Sequence, residues 1–261
     1  MNPIIITDKQ PEEDREPLHG SIVINEHYKA IPTKYGMMLV NRHEYGLPWS
    51  LEEEGEWVPT EIEFLMQFAR GIVFDIGANI GTHTLAFARA ASHVYSFEPQ
   101  KLTYYTLCSN LLLNNVFNAT PCELALGNYD GSIPMYAPDP RMRNASAGIP
   151  VGEGDNQVAI AKLDSLALPV PYFIKIDVEG YELEVLRGGN ELLQKNVCFV
   201  YVEIHSEELI APICTLMESL GYRSNQATET RIIKPLDEED GGKHLFSVYG
   251  YLFIGKGVVI V

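Results

Sequence analysis

Residues 71–82 read Gly71-Ile72-Val73-Phe74-Asp75-Ile76-Gly77-Ala78-Asn79-Ile80-Gly81-Thr82. Ile72 to Ile76 is a short apolar run interrupted only by Asp75, the pattern of a strand covered on both faces. The glycines behind it mark a tight turn where the backbone can approach a ligand, because no Cβ obstructs it. Thr82 to Ala91 then reads as a helix of small and apolar residues, and the amides that open such a helix favour anionic or polar groups.

The same alternation continues outward. His93 to Phe97 is a second strand, followed by a helix over about 101–114, and a third strand is expected near Thr120 to Leu126. Tyr172 to Ile176 and Val197 to Ile204 are two further apolar runs with helical patterning after each, whereas Tyr249 to Ile254 has none. Strands alternating with helices give α/β architecture, here a doubly wound, mostly parallel sheet. Upstream, residues 1–20 form a polar lead, and Ser21 to Trp57 is punctuated by turns, which suggests a small cap. Thr60-Glu61-Ile62-Glu63 has the spacing of a capping box and predicts a helix over 60–70. Two units are therefore expected, an N-terminal extension and cap over 1–59 and a ligand-binding domain over 60–261. Ala137 to Asp155, rich in Pro, Gly, Asn and Ser, is too long for an ordinary connection and reads as a binding loop.

Bulk composition removes several classes of function. The chain has 261 residues, 35 Asp and Glu against 19 Lys and Arg, and a net charge of −16. Proteins that grip phosphate backbones need clustered cations, so no nucleic-acid partner is expected. No apolar run is long enough to span a bilayer, and the N-terminus lacks the pattern of a signal peptide, so no membrane partner is expected. The four cysteines form no Cys-x-x-Cys pair. Reduced thiols and a cytoplasmic setting follow. No residue pattern reports an oligomeric state.

The ligand is narrowed by the turn. Glu98 ends the second strand 23 positions after Asp75, where an acid can accept hydrogen bonds from both ribose hydroxyls. A dinucleotide site wants G-x-G-x-x-G, with its second glycine beside a pyrophosphate. Here Asn79 stands at that glycine, and Asp75 would repel the pyrophosphate. A zwitterion bearing an ammonium group suits the turn better, and S-adenosylmethionine is such a ligand. The competing expectations are a nicotinamide-dependent oxidoreductase and a non-catalytic binding protein that keeps the fold.

Two further clusters fall where strands end. Asp177-Val178-Glu179-Gly180 follows the fourth predicted strand, and Glu203-Ile204-His205 closes the fifth. Carboxyl ends of neighbouring strands face one crevice, so Asp177, Glu179, Glu203 and His205 are expected to converge, with Glu179 or His205 as an acceptor-activating base. Period-two alternation puts Lys175 on the side of Asp177. These ligand types suit Mg²⁺ or Mn²⁺ without diagnostic spacing, and no metal is expected.

Val73 to Gly81, Phe97-Glu98-Pro99 and Ile174 to Glu182, together with Ala125-Leu126-Gly127 and Leu163-Asp164-Ser165-Leu166, resemble the FkbM-type methyltransferases over about residues 50–255. The resemblance implies a seven-stranded class I, Rossmann-like fold and methyl transfer from S-adenosylmethionine, usually to a hydroxyl of a sugar, polyketide or lipid-like acceptor. It implies that Asp75, Gly77 and Asn79 line the methionine end, with Ala78, Gly81 and Thr82 in the same turn. Glu98 and Pro99 would hold the ribose, Glu123 and Ala125 would border the adenine, and Asp177 would lie between cofactor and acceptor. Asn144 and Ser146 would belong to a segment closing over the site, where Arg143 and Tyr181 are further candidates for holding a small or glycan-like acceptor.

Overall fold

The computed structural model describes residues 4–6, 20–44, 46–137, 139–141, 151–195, 198–235 and 243–256, with backbone alone for 4–6, 225–235 and 243–248. A cap comes first: β1 (Ile4–Ile6), β2 (Ile22–Val23), β3 (Tyr28–Thr33), β4 (Gly36–Asn41), α1 (Leu47–Glu54) and α2 (Pro59–Met66). The core begins with β5 (Ile72–Ile76), α3 (Thr82–Phe87), β6 (His93–Phe97), α4 (Lys101–Leu113) and β7 (Ala119–Cys122). Then follow β8 (Ala125–Leu126), β9 (Gly131–Met135), β10 (Asn156–Ala161), β11 (Phe173–Ile176), α5 (Glu182–Gly188) and α6 (Asn190–Gln194). The chain closes with β12 (Phe199–Ile204), α7 (Glu207–Ser219), β13 (Arg223–Pro235) and β14 (Lys243–Ile254).

The main sheet runs β1-β13-β14-β12-β11-β5-β6-β7. Seven of these strands make the expected class I sheet, and the short β1 adds an eighth at the edge. β5, β6, β7, β11 and β12 pair in parallel, while β14 runs antiparallel between β12 and β13. The order reverses between β5 and β11, and such a switch point opens a crevice at the strands' carboxyl ends.

Period two explains which residues face which layer. Phe74, Ile76, Ile174, Ile176, Val200 and Val202 pack with Val185, Leu186, Leu193, Ile213 and Met217 of α5, α6 and α7. Val73, Phe173, Phe199 and Tyr201 face the other way, onto Leu65 of α2 and Phe87 of α3. Continuing along that second face toward the carboxyl ends brings Asp75, Lys175 and Glu203 into the same buried layer.

Several local expectations needed correction. α2 starts at Pro59 behind a left-handed Val58 (φ 40°), with no side-chain capping bond. Proline pre-sets the first helical turn there, so Thr60 lies inside the helix and the capping box does not form. The helix expected to reach Ala91 stops at Phe87. The run expected as a third strand divides: Ala119–Cys122 joins the main sheet, and Ala125–Leu126 joins a small sheet of order β8-β10-β9. β13 is long, but its sequence (Arg-Ser-Asn-Gln-Ala-Thr-Glu-Thr) lacks the apolar run that betrays a buried strand. The expected boundary at residue 59 falls on the first residue of α2 and so cuts into that helix, and one apolar cluster joins Ile31, Met38, Val40 and Leu51 to Ile80, Leu85, Leu107 and Leu111.

Candidate active site

A crevice of about 650 Å³, open solvent included, lies at the carboxyl ends of β5, β6 and β11. Its floor is the turn after β5. Gly77 has φ +79°, and a Cβ there would lie 1.7 Å from the Asp177 carbonyl oxygen, so only glycine lets the two loops meet. The amides of Gly77 and Ala78 both donate to the Phe97 carbonyl at 3.0 Å, tying the turn to β6.

Glu98 is buried beside this floor. Its carboxylate accepts from the Gln100 amide at 2.8 Å and from the Asn79 amide at 3.1 Å. Burial pushes its pKa up to about 7 against the pull of those two amides, with Asp177 and Asp75 adding to the rise. Each carboxylate oxygen carries two lone pairs, so one acceptor position remains on each. The buried side-chain oxygens Asn79 Oδ1 and Gln100 Oε1, in the same wall, have no hydrogen-bond partner among the described residues. Buried polar atoms are normally satisfied, and this group of acceptors fits a ligand rich in hydroxyl and amino donors. Phe97, Leu124, Leu126, Met135 and Val151 supply an apolar wall suited to a flat base.

Among the residues expected to hold a cofactor, Gly77, Asn79, Glu98, Pro99, Ala125 and Asp177 line the crevice. Asp75, Ala78, Gly81, Thr82 and Glu123 do not. Asp75 is fully buried and accepts from the Thr84 hydroxyl at 2.5 Å, beneath the turn. Ala78 packs in the cluster shared with the cap. Gly81 and the buried Thr82 open α3, and Glu123 is exposed. Tyr181 lines the crevice, whereas Arg143, Asn144 and Ser146 lie outside the described residues.

At the far end Asp177 and Glu179 line the crevice, and the other two of the expected foursome, Glu203 and His205, gather against them without lining it. His205 Nε2 stands 3.5 Å from Asp177 Oδ1 and 3.4 Å from Glu179 Oε2. Lys175, fully buried, donates to Asp177 Oδ2 at 2.9 Å and reaches Asp75 Oδ1 at 3.9 Å. Burial opposes its charge, yet Asp177, Asp75 and Glu203 hold its pKa above the usual lysine value. Burial likewise opposes the charge on Asp177, and Lys175 with His205 outweighs it and keeps that carboxyl ionised. Glu203 goes the other way: burial, then Asp177 and Glu61, raises it well above the carboxylate range. Its partner Glu61, on α2, accepts from the Tyr201 hydroxyl at 3.0 Å and lies 3.3 Å from His83 Nε2, and its pKa is held below the usual value against the pull of burial. Glu203 is thus the protonated member of that pair.

In the sequence Glu61 stands only in the capping box and Glu182 only at the end of the Ile174–Glu182 motif, so neither is marked as a site residue. Gln100 was not singled out, and its place two positions beyond Glu98 is the one signal that could have found it. Met135 and Val151 come from the β9–β10 insertion and carried no motif.

Comparison with known proteins agrees with this geometry. A family model described as the methyltransferase FkbM domain matches residues 75–224. The hexuronic acid methyltransferase AglP of Haloferax volcanii is 34% identical over 139 residues, covering 52% of this chain and 56% of that protein. The chain thus matches little more than half the length of that relative. Methyltransferase 1 of Beauveria bassiana is 29% identical over 177 residues, covering 58% of this chain and 71% of the other. A solved structure of a methyltransferase FkbM from Methylobacillus flagellatus shares the fold, with TM-score 0.50 and 16% identity over 70% of this chain and 44% of that one. With the matched residues spanning more than half of the sequence and both walls of the crevice, this chain belongs to the FkbM methyltransferase family.

Proposed function

We propose that the chain is an S-adenosylmethionine-dependent methyltransferase acting on a hydroxyl of a small, polyhydroxylated acceptor. The observation that carries this reading is one crevice with two chemically distinct ends. Glu98, Asn79 and Gln100 offer spare acceptor capacity at one end, and Asp177 and Glu179, with His205 beside them, stand at the other. Glu98 would take the ribose hydroxyls, Asn79 the amino-acid end, and the apolar wall beside Leu124 and Met135 the adenine. Bound there, the cofactor would supply an electrophilic methyl whose transfer to oxygen releases a neutral thioether.

The protein must then align the acceptor and accept its proton, which is worth about 10²- to 10⁴-fold for a well-placed base. His205 is held as a cation, burial and its acidic neighbours push Glu203 toward its protonated form, and Asp177 is tied to Lys175. Glu179, whose side chain is the most exposed of the four, is the group we assign as proton acceptor. It sits in a left-handed conformation (φ 54°), as does Asn79 (φ 49°), and such strained residues cluster at functional sites. The Haloferax relative is named for a hexuronic acid, which offers ring hydroxyls and a carboxylate. Carboxyl groups outnumber cations around His205, which favours a hydroxyl over an anion as the reacting group.

Transfer of labelled methyl from S-adenosylmethionine to a panel of sugars, uronic acids and polyols tests this reading. A product stable to mild alkali is a methyl ether and supports it. Label released as methanol would reveal a methyl ester and overturn the hydroxyl assignment.

A further inference from the structure

Glu182 is fully buried in the wall behind the acceptor end, and nothing in the transfer described above requires it. A buried carboxylate is costly unless paired. Its Oε1 accepts from the Gly180 amide at 2.8 Å and lies 3.0 Å from His205 Nδ1, while Oε2 has no partner among the described residues. Since a carboxylate accepts, Nδ1 of His205 must donate, and that bond fixes both the ring's orientation and its tautomer. Nε2 then points forward, between Asp177 and Glu179, at distances longer than a hydrogen bond and short enough for an ion pair.

We propose that Glu182 is a positioning residue, which locks His205 with Nδ1–H donated backward and Nε2–H forward, so that the ring is a fixed cation anchoring the Asp177 and Glu179 carboxylates. Only the kinetic consequence of this arrangement rests on the methyl-transfer reading.

The groups facing the ring come from several elements. Glu182 opens α5, Asp177 and Glu179 lie in the turn before it, and Lys175 and Glu203 stand behind on β11 and β12. Glu61 of α2 and His83 of α3 complete the layer. Burial pushes His205 down, but the bond from Glu182 and the charges of Asp177 and Glu179 outweigh it and lift its pKa to about 9. An acid at the first position of α5 would also suit the positive end of that helix. That simpler role predicts a loss of stability on substitution without a change in the ring's protonation.

Nitrogen-15 NMR of labelled histidine, with His205 assigned through H205A, separates the two. In the wild-type protein both ring nitrogens should be protonated at pH 7, with deprotonation near pH 9. In E182Q deprotonation should fall by at least about one pH unit toward the ordinary histidine value. The turnover of E182Q should drop about ten-fold or more, with unchanged affinity for S-adenosylhomocysteine. A wild-type ring that is unprotonated at Nδ1 at pH 7 would overturn the proposal without recourse to any variant, as would an E182Q titration identical to wild type. If the titrations behave as stated and no acceptor is ever methylated, the methyl-transfer reading falls and the Glu182–His205 pair stands.

Discussion

Glu98 is the residue whose chemistry the account tests most sharply. With its pKa at about 7, it carries a proton in much of the free protein below neutrality. If Glu98 takes the ribose hydroxyls as proposed, they would donate to its ionised form, and binding would favour loss of that proton. Affinity for S-adenosylhomocysteine should therefore rise from pH 6 to pH 8, and the rise should vanish in Glu98→Gln. Removing charged hydrogen bonds of this kind costs about 1.5–3 kcal/mol, or roughly ten- to a hundred-fold in affinity. Calorimetric titrations at three pH values check both statements. Gly77 makes a second prediction at this scale: Gly77→Ala should abolish binding and lower the melting temperature, since its Cβ would overlap the Asp177 carbonyl. That Gly77, Asn79 and Glu98 line one crevice was legible because each lies just beyond the carboxyl end of a strand, where spacing fixes position. That Asp75 lies under the crevice was not legible, because the sequence does not reveal that Thr84, nine positions on in α3, donates its hydroxyl to the Asp75 carboxylate.

At the scale of elements, two asparagines hold the cap to the core. Asn110 and Asn114 lie one turn apart on α4, where residues four apart share a face. Asn110 Oδ1 accepts from the Leu39 amide at 2.6 Å, and its amide donates to the Leu39 and Ile80 carbonyls at 3.1 and 2.8 Å. Asn114 accepts from the Met37 amide at 2.8 Å and donates to the Met37 carbonyl at 2.7 Å. Together they act as a substitute strand along β4, and Asn110 also grips the turn that floors the crevice. Asn110→Ala leaves buried peptide groups unpaired, at about 1–3 kcal/mol each. The variant should exchange amide hydrogens faster in β3 and β4 than in β11, a comparison that hydrogen-exchange mass spectrometry makes directly. The main strands were legible because burial on both faces leaves uninterrupted apolar runs. The break between β7 and β8 was not, since both halves look equally apolar and only the tertiary fold sends them to different sheets. β13 escaped for the opposite reason, its polar run resembling a loop.

Over the whole molecule, strand order does the work that no single motif can. It sets β5, β6, β11 and β12 side by side with the reversal in their midst. Residues a hundred positions apart, such as Asp75 and Lys175, thereby meet in register. Among the described residues no helix is long and apolar enough to cross a membrane. His205 adds a prediction at this scale. Its folded pKa of about 9 lies above the ordinary 6.5, so it contributes stability that is full below about pH 6.5 and is lost as pH rises through 9. The wild-type melting temperature should decline over that window more steeply than that of H205A, as differential scanning calorimetry would register. The central claim, that this crevice is built for a methyl donor, is met most directly by titrating the protein with S-adenosylhomocysteine, with NAD as the comparison ligand. Saturable one-site binding of S-adenosylhomocysteine, abolished in Gly77→Ala, and no heat with NAD is the result expected. Binding of NAD in its place, or of neither ligand, would contradict the account.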